Sequence, residues 1–417
     1  MQPTPNDSDP RAHRRVIWLL AVLATLAKLL LASRTKGTVD VASFWDFGGR
    51  IVVSGMPELW KSNPLFNHMP LVGWFASALR GLFPKDPQSF ALWWRVPAIA
   101  ADLLAVWAVL RIARLDDRRV RIAVMVFAAS PVSLMVSGFH GNVDPIMTAF
   151  LIAAAALAAG GNLILSALVL AVAFNVKAAG IIVAPLFLAH WISRGAGLRF
   201  FVMVSAFTLA GWAYPLMSGP GVFIRNVLSY GGYWGTWGIT YWLRQTGWEP
   251  WSSIRFGDFT AAQTAVIIPL KLIIIGTSFA LAWRRRKGGD LLGGIAILWL
   301  VMMTFAPSGA AQYLVWSAPF LAVARPRFSP WIAAAGTVHL FVFYTVFCGG
   351  LPWDFGIARE ATNWIWLLTT NIPWMAFAAC LFLEMKRALS EDFPRESIAL
   401  RAESASHMDA PQQHGLC

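Results

Sequence analysis

Long apolar runs separated by basic turns constrain this chain more than any other feature. Residues 16–31, 90–112 and 122–137 begin a series that continues to residues 364–383. Each run approaches the roughly 20 apolar residues that an α-helix needs to cross a bilayer core, and about twelve such spans fit. With 57% of the 417 residues hydrophobic and only 13% charged, a soluble globular fold is excluded. The expected fold class is all-α: a polytopic membrane protein of about 12 transmembrane helices, with interfacial helices in its first outer loop.

A net charge of +13 would suggest nucleic acid in a soluble protein. The positions of the charges argue otherwise. Arg11, Arg14 and Arg15 precede the first run, and later clusters lie at residues 111–121, 194–199, 284–287, 325–327 and 386–387. They fall on every second connection, which by the positive-inside rule places both termini in the cytoplasm and leaves no role for nucleic acid. The first run is followed by SRTKG rather than a small-x-small cleavage pattern, so it reads as a retained helix. Cys348, Cys380 and Cys417 fall in three different settings and define no disulfide framework.

The domain organisation that follows is one membrane domain over residues 16–383, with outer loops at 34–88 and 218–262. Polar segments at 1–15 and 384–417 are expected to be disordered cytoplasmic tails. Within the first outer loop, residues 70–83 are too short and interrupted to span comfortably and are expected to lie on the membrane. Weak transporter symmetry is not visible as an internal repeat.

The ionisable groups assigned to the outer side are the candidates for chemistry. The stretch GTVDVASFWDFGGRIVVSGMPELWKSNPLFNHMPL (residues 37–71) gathers Asp40, Asp46, Glu58 and His68 among aromatics, glycines and prolines. His140, Asn142 and Asp144 follow in the turn FHGNVDP, Lys177 ends the fifth span, and Arg225 and Arg244 flank the Trp-rich YGGYWGTWGITYWLRQTGWEPW. Acids able to accept a proton beside cations able to hold a phosphate suit transfer from a lipid-linked phosphate to a hydroxyl. Bland readings stand beside these. Asp40 can cap a helix starting near Val41, and Asp144 before Pro145 fits an N-cap. Lys177 can snorkel, the two arginines can be solvated at the membrane surface, and the tryptophans can stack on sugar or seat at the lipid boundary. Arg95 and Asp102, seven residues apart on one helix face, suit structure rather than chemistry, and Lys271 is a buried cation without an obvious partner.

In order along the chain, GTVDVASFWDF, FNHMPLVGWFASAL, FALWWRVPAIAADLL, GFHGNVDPIMTAF and FNVKAAGIIVAPLF resemble the GT-C glycosyltransferases, most of all the polyprenyl-phosphate-glucose-dependent enzymes of N-glycan assembly and their bacterial relatives. QYLVW, residues 312–316 and including Gln312 and Tyr313, resembles a motif of GT-C mannosyltransferases of glycolipid anchor assembly. The resemblance implies a membrane enzyme that moves a hexose, with inversion, from a polyprenyl-phosphate donor to a lipid-linked or glycan acceptor on the outer face of a bacterial inner membrane. It implies that Asp40 is the catalytic base. Asp46, His68, His140, Asn142, Lys177, Arg225, Arg244, Gln312 and Tyr313 are the expected substrate-binding residues. No HxxxH, CxxC or DxD spacing motivates a metal, and no glycine-rich loop motivates a nucleotide cofactor. The rival readings are a secondary transporter or lipid flippase, which would depend on midplane groups such as Lys271 or Asp102, and a structural envelope subunit.

Overall fold

The computed structural model describes residues 10–228, 232–348, 353 and 364–392. Helix α1 (Pro10–Arg34) starts within the polar lead that was expected to be disordered to residue 15, because proline fits the first helical position without a missing hydrogen bond. Residues 1–9 lie outside the described ones. Three helices fill the first loop: α2 (Val39–Ser54), α3 (Met56–Ser62) and α4 (Pro70–Leu82). Asp86 then caps α5 (Pro87–Ile112), its carboxylate accepting the N–H groups of Gln88 and Ser89 at 3.1 and 3.0 Å.

The chain continues through α6 (Arg118–His140), α7 (Asp144–Ala159), α8 (Leu163–Val176), α9 (Ala178–Ile192) and α10 (Gly197–Ser218). The second loop carries a two-residue antiparallel pairing of β1 (Tyr233–Trp234) with β2 (Arg255–Phe256), and α11 (Gly238–Gln245) between them. A capping box of Thr260 and Gln263 starts α12 (Ala261–Arg285). Helices α13 (Leu291–Phe305), α14 (Ala311–Ala324), α15 (Ser329–Phe347), α16 (Trp364–Thr369) and α17 (Asn371–Asp392) complete the bundle.

Six helical stretches are long and apolar enough to cross a membrane, and α7, α8, α9, α13 and α14 are shorter apolar helices. Together with α5, which carries Arg95 and Asp102, they fall on the expected runs. This is an all-α membrane protein. The centre of the bundle is α7, whose alanines at 149, 153, 154, 155 and 158 are almost wholly buried between α5 and α8. Small side chains let backbones approach closely where lipid supplies no hydrophobic drive. By contrast α1, α10 and α12 expose large apolar side chains such as Leu23, Leu209 and Phe279, as lipid-facing helices do.

The last helix overruns its expected end at residue 383. Glu384, assigned by sequence to a disordered tail, is buried and accepts Arg325 Nε at 2.8 Å and Arg327 Nη2 at 2.6 Å. Two guanidiniums from the basic turn ARPRFSP make that position structural, and the helix runs on to Asp392. The two tryptophans at the middle of the second loop are packed inside. Trp234 Nε1 donates to the carbonyl of Trp251 at 2.9 Å and Trp237 Nε1 to that of Met303 at 2.8 Å.

Candidate active site

The site is assembled on a buried arginine. Arg95, fully buried in α5, has no carboxylate partner among the described residues; it donates to the carbonyls of Ala32, Thr35, Gly138 and Ala91 at 2.6–3.0 Å and to Thr35 Oγ1 at 2.9 Å. Those carbonyls are available because α1 ends there and because α6 closes in a π-helix over Leu134–His140, which frees groups from the ordinary ladder. Arg95 thus ties the end of α1 to the end of α6, which bears His140. Two glycines complete the junction. Gly37 and Gly141 both have φ near +80°, and a side chain on either would run into Val41 of α2.

On this junction sits Asp40, in the first turn of α2. Thr38, not Asp40, caps that helix: its hydroxyl accepts the Asp40 N–H at 3.4 Å and donates to the His140 carbonyl at 2.8 Å. The Asp40 side chain is therefore released for another role. Its Oδ2 is 3.0 Å from His140 Nε2 and accepts Asn142 Nδ2 at 2.6 Å, while among the described residues nothing donates to Oδ1. Burial would raise the carboxyl's pKa, but the charge and hydrogen bond of His140 and the hydrogen bond of Asn142 outweigh it and hold the group down to about 2. The result is an ionised carboxylate with one oxygen tethered and the other open. On its far side, burial pushes the His68 imidazole down to about 3, helped by Lys177 and opposed by Asp40, so that ring is neutral. It packs against Phe44 at 4.7 Å.

Lys177 ends α8 facing the same space. It does not snorkel. Its Nζ bridges both oxygens of Asp144 at 2.8 Å and lies 4.8 and 5.4 Å from the centroids of the Tyr313 and Trp316 rings. Asp144, the first residue of α7, is fully exposure-free and also accepts Trp316 Nε1 at 2.6 Å; it makes no capping bond. The N-cap reading of Asp144 is thus corrected: an acid before proline at a helix start mimics a cap, while its carboxylate is drawn off by a cation on the next helix.

Asp40, His68, His140, Asn142, Lys177, Gln312 and Tyr313 line one cavity of about 1840 Å³. It continues as an apolar groove over α9, between α10 and α12, which both pack on that helix. Val204, Leu209 and Trp212 form one wall and Lys271, Ile275 and Phe279 the other. Lys271 has no hydrogen-bond or ion-pair partner among the described residues.

Three expected site residues lie elsewhere. Asp46 is half-exposed and pairs with Arg50 one turn on, at 2.8 Å, because six residues along a helix carry it round from Asp40 to a different face. Arg225 is exposed, with Nε 3.4 Å from Asn226 Oδ1. Arg244 lies over Tyr241 at 5.6 Å. Neither arginine reaches the cavity wall. Asp102 pairs with Lys28 at 2.6 Å across α1 and α5, not with Arg95 on its own helix, and Ser133 joins the pair. Two contributors carried no sequence signal. Tyr344 is an isolated tyrosine in an apolar helix, and its hydroxyl lies 2.8 Å from His140 Nδ1. Thr38 is one of many threonines. Trp316 stood within the QYLVW block but was not assigned a role.

Among the described residues no group of three or more His, Cys, Asp or Glu side chains could hold a metal ion. No curated protein matches the chain. Residues 37–194 match a protein family described as alpha-(1->6)-mannopyranosyltransferase, N-terminal domain. That stretch carries Asp40, His68, Arg95, His140, Asn142, Asp144 and Lys177, and so covers the junction and most of the charged groups around it. The segment that builds this site is thus similar to the N-terminal domain of a GT-C-type membrane mannosyltransferase family, in keeping with the GT-C resemblance of the sequence blocks.

Proposed function

We propose that the protein transfers a mannose or closely related hexose from a polyprenyl-phosphate donor to an acceptor hydroxyl, with inversion at the anomeric carbon. One observation carries the reading: Asp40 presents an unpaired carboxylate oxygen to a large cavity that also holds Lys177 and runs into an apolar groove. The acceptor O–H gives its proton to Asp40 Oδ1 as its oxygen attacks the anomeric carbon. On the opposite face the bond from that carbon to the phosphate oxygen breaks, and its electron pair leaves with the phosphate. Two N–H bonds of Lys177 are held by Asp144, which aims the third into the cavity toward the departing group. The lipid chain lies in the groove between α10 and α12, where Lys271 meets the negative charge that a bare cation at this depth requires.

A base held near 2 is weak, yet the donor corrects this. A phosphodiester entering the cavity adds negative charge beside Asp40, which raises its proton affinity at the moment a base is needed. The alternation of basic turns favours an orientation in which the termini are cytoplasmic and the cavity opens on the outer face of a bacterial inner membrane. The clustering of Asp40, His140 and Lys177 about one cavity favours an enzyme over a transporter, since Asp102, a midplane candidate for transport, is spent on Lys28.

The test is Asp40→Asn in purified protein supplied with polyprenyl-phosphate mannose and an acceptor panel, with products read by mass and anomeric configuration by NMR. Asparagine keeps an oxygen for His140 and Asn142, so the fold is retained while kcat falls about 10²- to 10⁴-fold. Full activity of the folded variant would sink the assignment.

A further inference from the structure

We propose that Asn67 and His68, in the turn between α3 and α4, form the subsite that binds the hydroxyls of the transferred hexose and so selects the sugar. The proposal deepens the transferase reading and rests on it for its kinetic arm. It starts from unspent hydrogen-bonding capacity. Asn63, Asn142, Asn162, Asn175, Asn226 and Asn371 each commit a side-chain oxygen or nitrogen to a bond within the protein. Asn67 is the one asparagine among the described residues whose amide makes no such bond, and it lines the cavity beside His68, whose ring nitrogens make none among the described residues either. Two partly buried polar side chains, adjacent in the chain and left open where their counterparts are satisfied, are positions for a ligand.

The fold holds this turn in place. Phe66 and Met69, on either side of the pair, are wholly buried; the Phe66 ring packs on Phe47 at 5.1 Å and on Trp60 at 6.0 Å, and Met69 leads directly into α4. With those two anchored inward, Asn67 and His68 face the cavity. Their place in it follows from α2, where residues 40, 44 and 47 share one helix face and all line the cavity. Phe44, one turn beyond the base, lies 4.7 Å from the His68 ring, and the charges of both Lys177 and Asp40 act on that ring. The turn therefore borders the space between Asp40 and Lys177. In an inverting displacement the attacking oxygen, held by Asp40, and the departing phosphate oxygen, held by Lys177, flank the anomeric carbon, so the pyranose that carries this carbon occupies that space. The chemistry of the turn suits it. An amide and an imidazole kept neutral by burial donate and accept without net charge, as hexose hydroxyls need, and Phe44 and Phe47 offer apolar faces to the C–H groups of the ring.

The test is Asn67→Ala beside His68→Phe, which keeps a ring on Phe44 and removes its nitrogens. The donors are polyprenyl-phosphate mannose and analogues that each lack one mannose hydroxyl. Asn67→Ala should lower kcat/KM for the mannose donor about tenfold, with KM for the acceptor within about twofold. In the wild type at least one deoxy donor should lose about tenfold, and in Asn67→Ala that same donor should lose less than about twofold further, because the amide it would have met is gone. His68→Phe should show the same pattern on a deoxy donor of its own. Losses that add on every deoxy donor, or a loss confined to the acceptor KM, overturn the proposal. A second measurement does not depend on turnover: equilibrium binding, to protein carrying Asp40→Asn, of polyprenyl-phosphate mannose and of the matching methyl phosphodiester, which has the same lipid and charge but no sugar. The mannose donor should bind about tenfold more tightly, and Asn67→Ala should erase most of that difference while leaving the Kd of the methyl diester within about twofold. A difference that survives both Asn67→Ala and His68→Phe, or an equal weakening of the two ligands, refutes the subsite even if the transferase reading stands. Sugar-dependent binding that requires Asn67, in a protein whose wild type transfers no mannose, refutes that reading and leaves the subsite in place. Asn67→Ala removes no hydrogen bond within the protein among the described residues, so it should melt with the wild type; if one variant fails to fold, the other carries both measurements.

Discussion

The pair Lys177–Asp144 makes a prediction whose size follows from the unequal burial of its members. The carboxylate is inaccessible, while 17% of the lysine side chain is exposed at the cavity. Lys177→Met therefore leaves a charged group in the protein interior with a single N–H, from Trp316, to stabilise it. Breaking a buried pair from that side costs about 3–5 kcal/mol, and full burial puts the loss near 4 kcal/mol. Asp144→Asn leaves an ammonium that keeps an amide oxygen, some solvent, and the faces of Tyr313 and Trp316 at 4.8 and 5.4 Å. Each ring offers about 0.5–1 kcal/mol, so this loss is about 2 kcal/mol. The double variant has no charge to strand and should cost about 2 kcal/mol in all, giving a coupling energy of about 4 kcal/mol. Thermal midpoints of detergent-solubilised protein, followed by tryptophan fluorescence, should fall in the order wild type, double variant and Asp144→Asn together, then Lys177→Met. Additive losses, or a Lys177→Met protein more stable than Asp144→Asn, would refute the claim that Asp144 is desolvated and neutralised by Lys177.

Other positions differ in what they should report. His68, whose imidazole is pushed from 6.5 to about 3 by burial, stays neutral in the folded protein while the unfolded chain takes up a proton. Stability should therefore fall as pH drops from 6.5 toward 3, and His68→Gln should flatten that slope in thermal scans across the window. Asp40 acts in the same sense at lower pH: depressed from 3.8 to about 2, its contribution should be at full strength above pH 3.8 and be lost as pH falls from 3.8 through 2. Arg95→Lys cannot reproduce a fork that reaches four carbonyls. It should cost about 3 kcal/mol of stability and more than tenfold in kcat, measured by thermal melting and product formation. Lys271→Met should raise KM for a lipid-linked donor about tenfold with kcat little changed, in steady-state assays. Asp46→Ala serves as the contrast. Its pairing with Arg50 is on the surface, so activity and melting should stay within about 0.5 kcal/mol of wild type.

The number and type of elements were legible because lipid enforces them. A run of apolar residues bounded by arginines has few alternatives to a spanning helix, so α6 through α15 fall where the hydropathy changes. Asp40, His140, Asn142 and Lys177 were legible as candidates for a similar reason: polar groups are costly among apolar neighbours and stand out. What was not legible is pairing. Sequence spacing put Asp102 and Arg95 near one helix face and suggested a structural role, but named no partner for either. Lys28, 74 residues away, takes Asp102, and Arg95 is satisfied by carbonyls that no residue type announces. Asp144 was misread because a carboxylate before proline meets every local requirement of a cap, and its partner is 33 residues distant. The extent of α17 was missed because Glu384 is polar in isolation, and only the fold reveals that two arginines bury it.

These pairings determine what charge the cavity shows to a ligand. Lys177 and Asp144 cancel; Lys28 and Asp102 cancel away from the cavity; Arg95 is turned wholly into the helix ends. Of the groups lining the space, Asp40 carries a negative charge held by His140 and Asn142, and Lys271 and Arg286 carry positive ones with no acidic partner among the described residues. A neutral sugar would leave these charges as they are. A phosphodiester adds one negative charge, which Lys271 can balance, and at the same time makes Asp40 harder to keep ionised. Binding energy from the lysine is thereby converted into basicity at the aspartate, because the ligand that relieves one charge loads the other. Removing Lys271 should consequently weaken donor binding while leaving Asp40 chemically intact. Removing Asp40 should relieve the repulsion and let the donor bind as tightly as before, or more tightly, while turnover stops. Equilibrium binding of a non-hydrolysable polyprenyl phosphate to Asp40→Asn and Lys271→Met separates the two, and a donor that binds Asp40→Asn more weakly than wild type would contradict this division of charge.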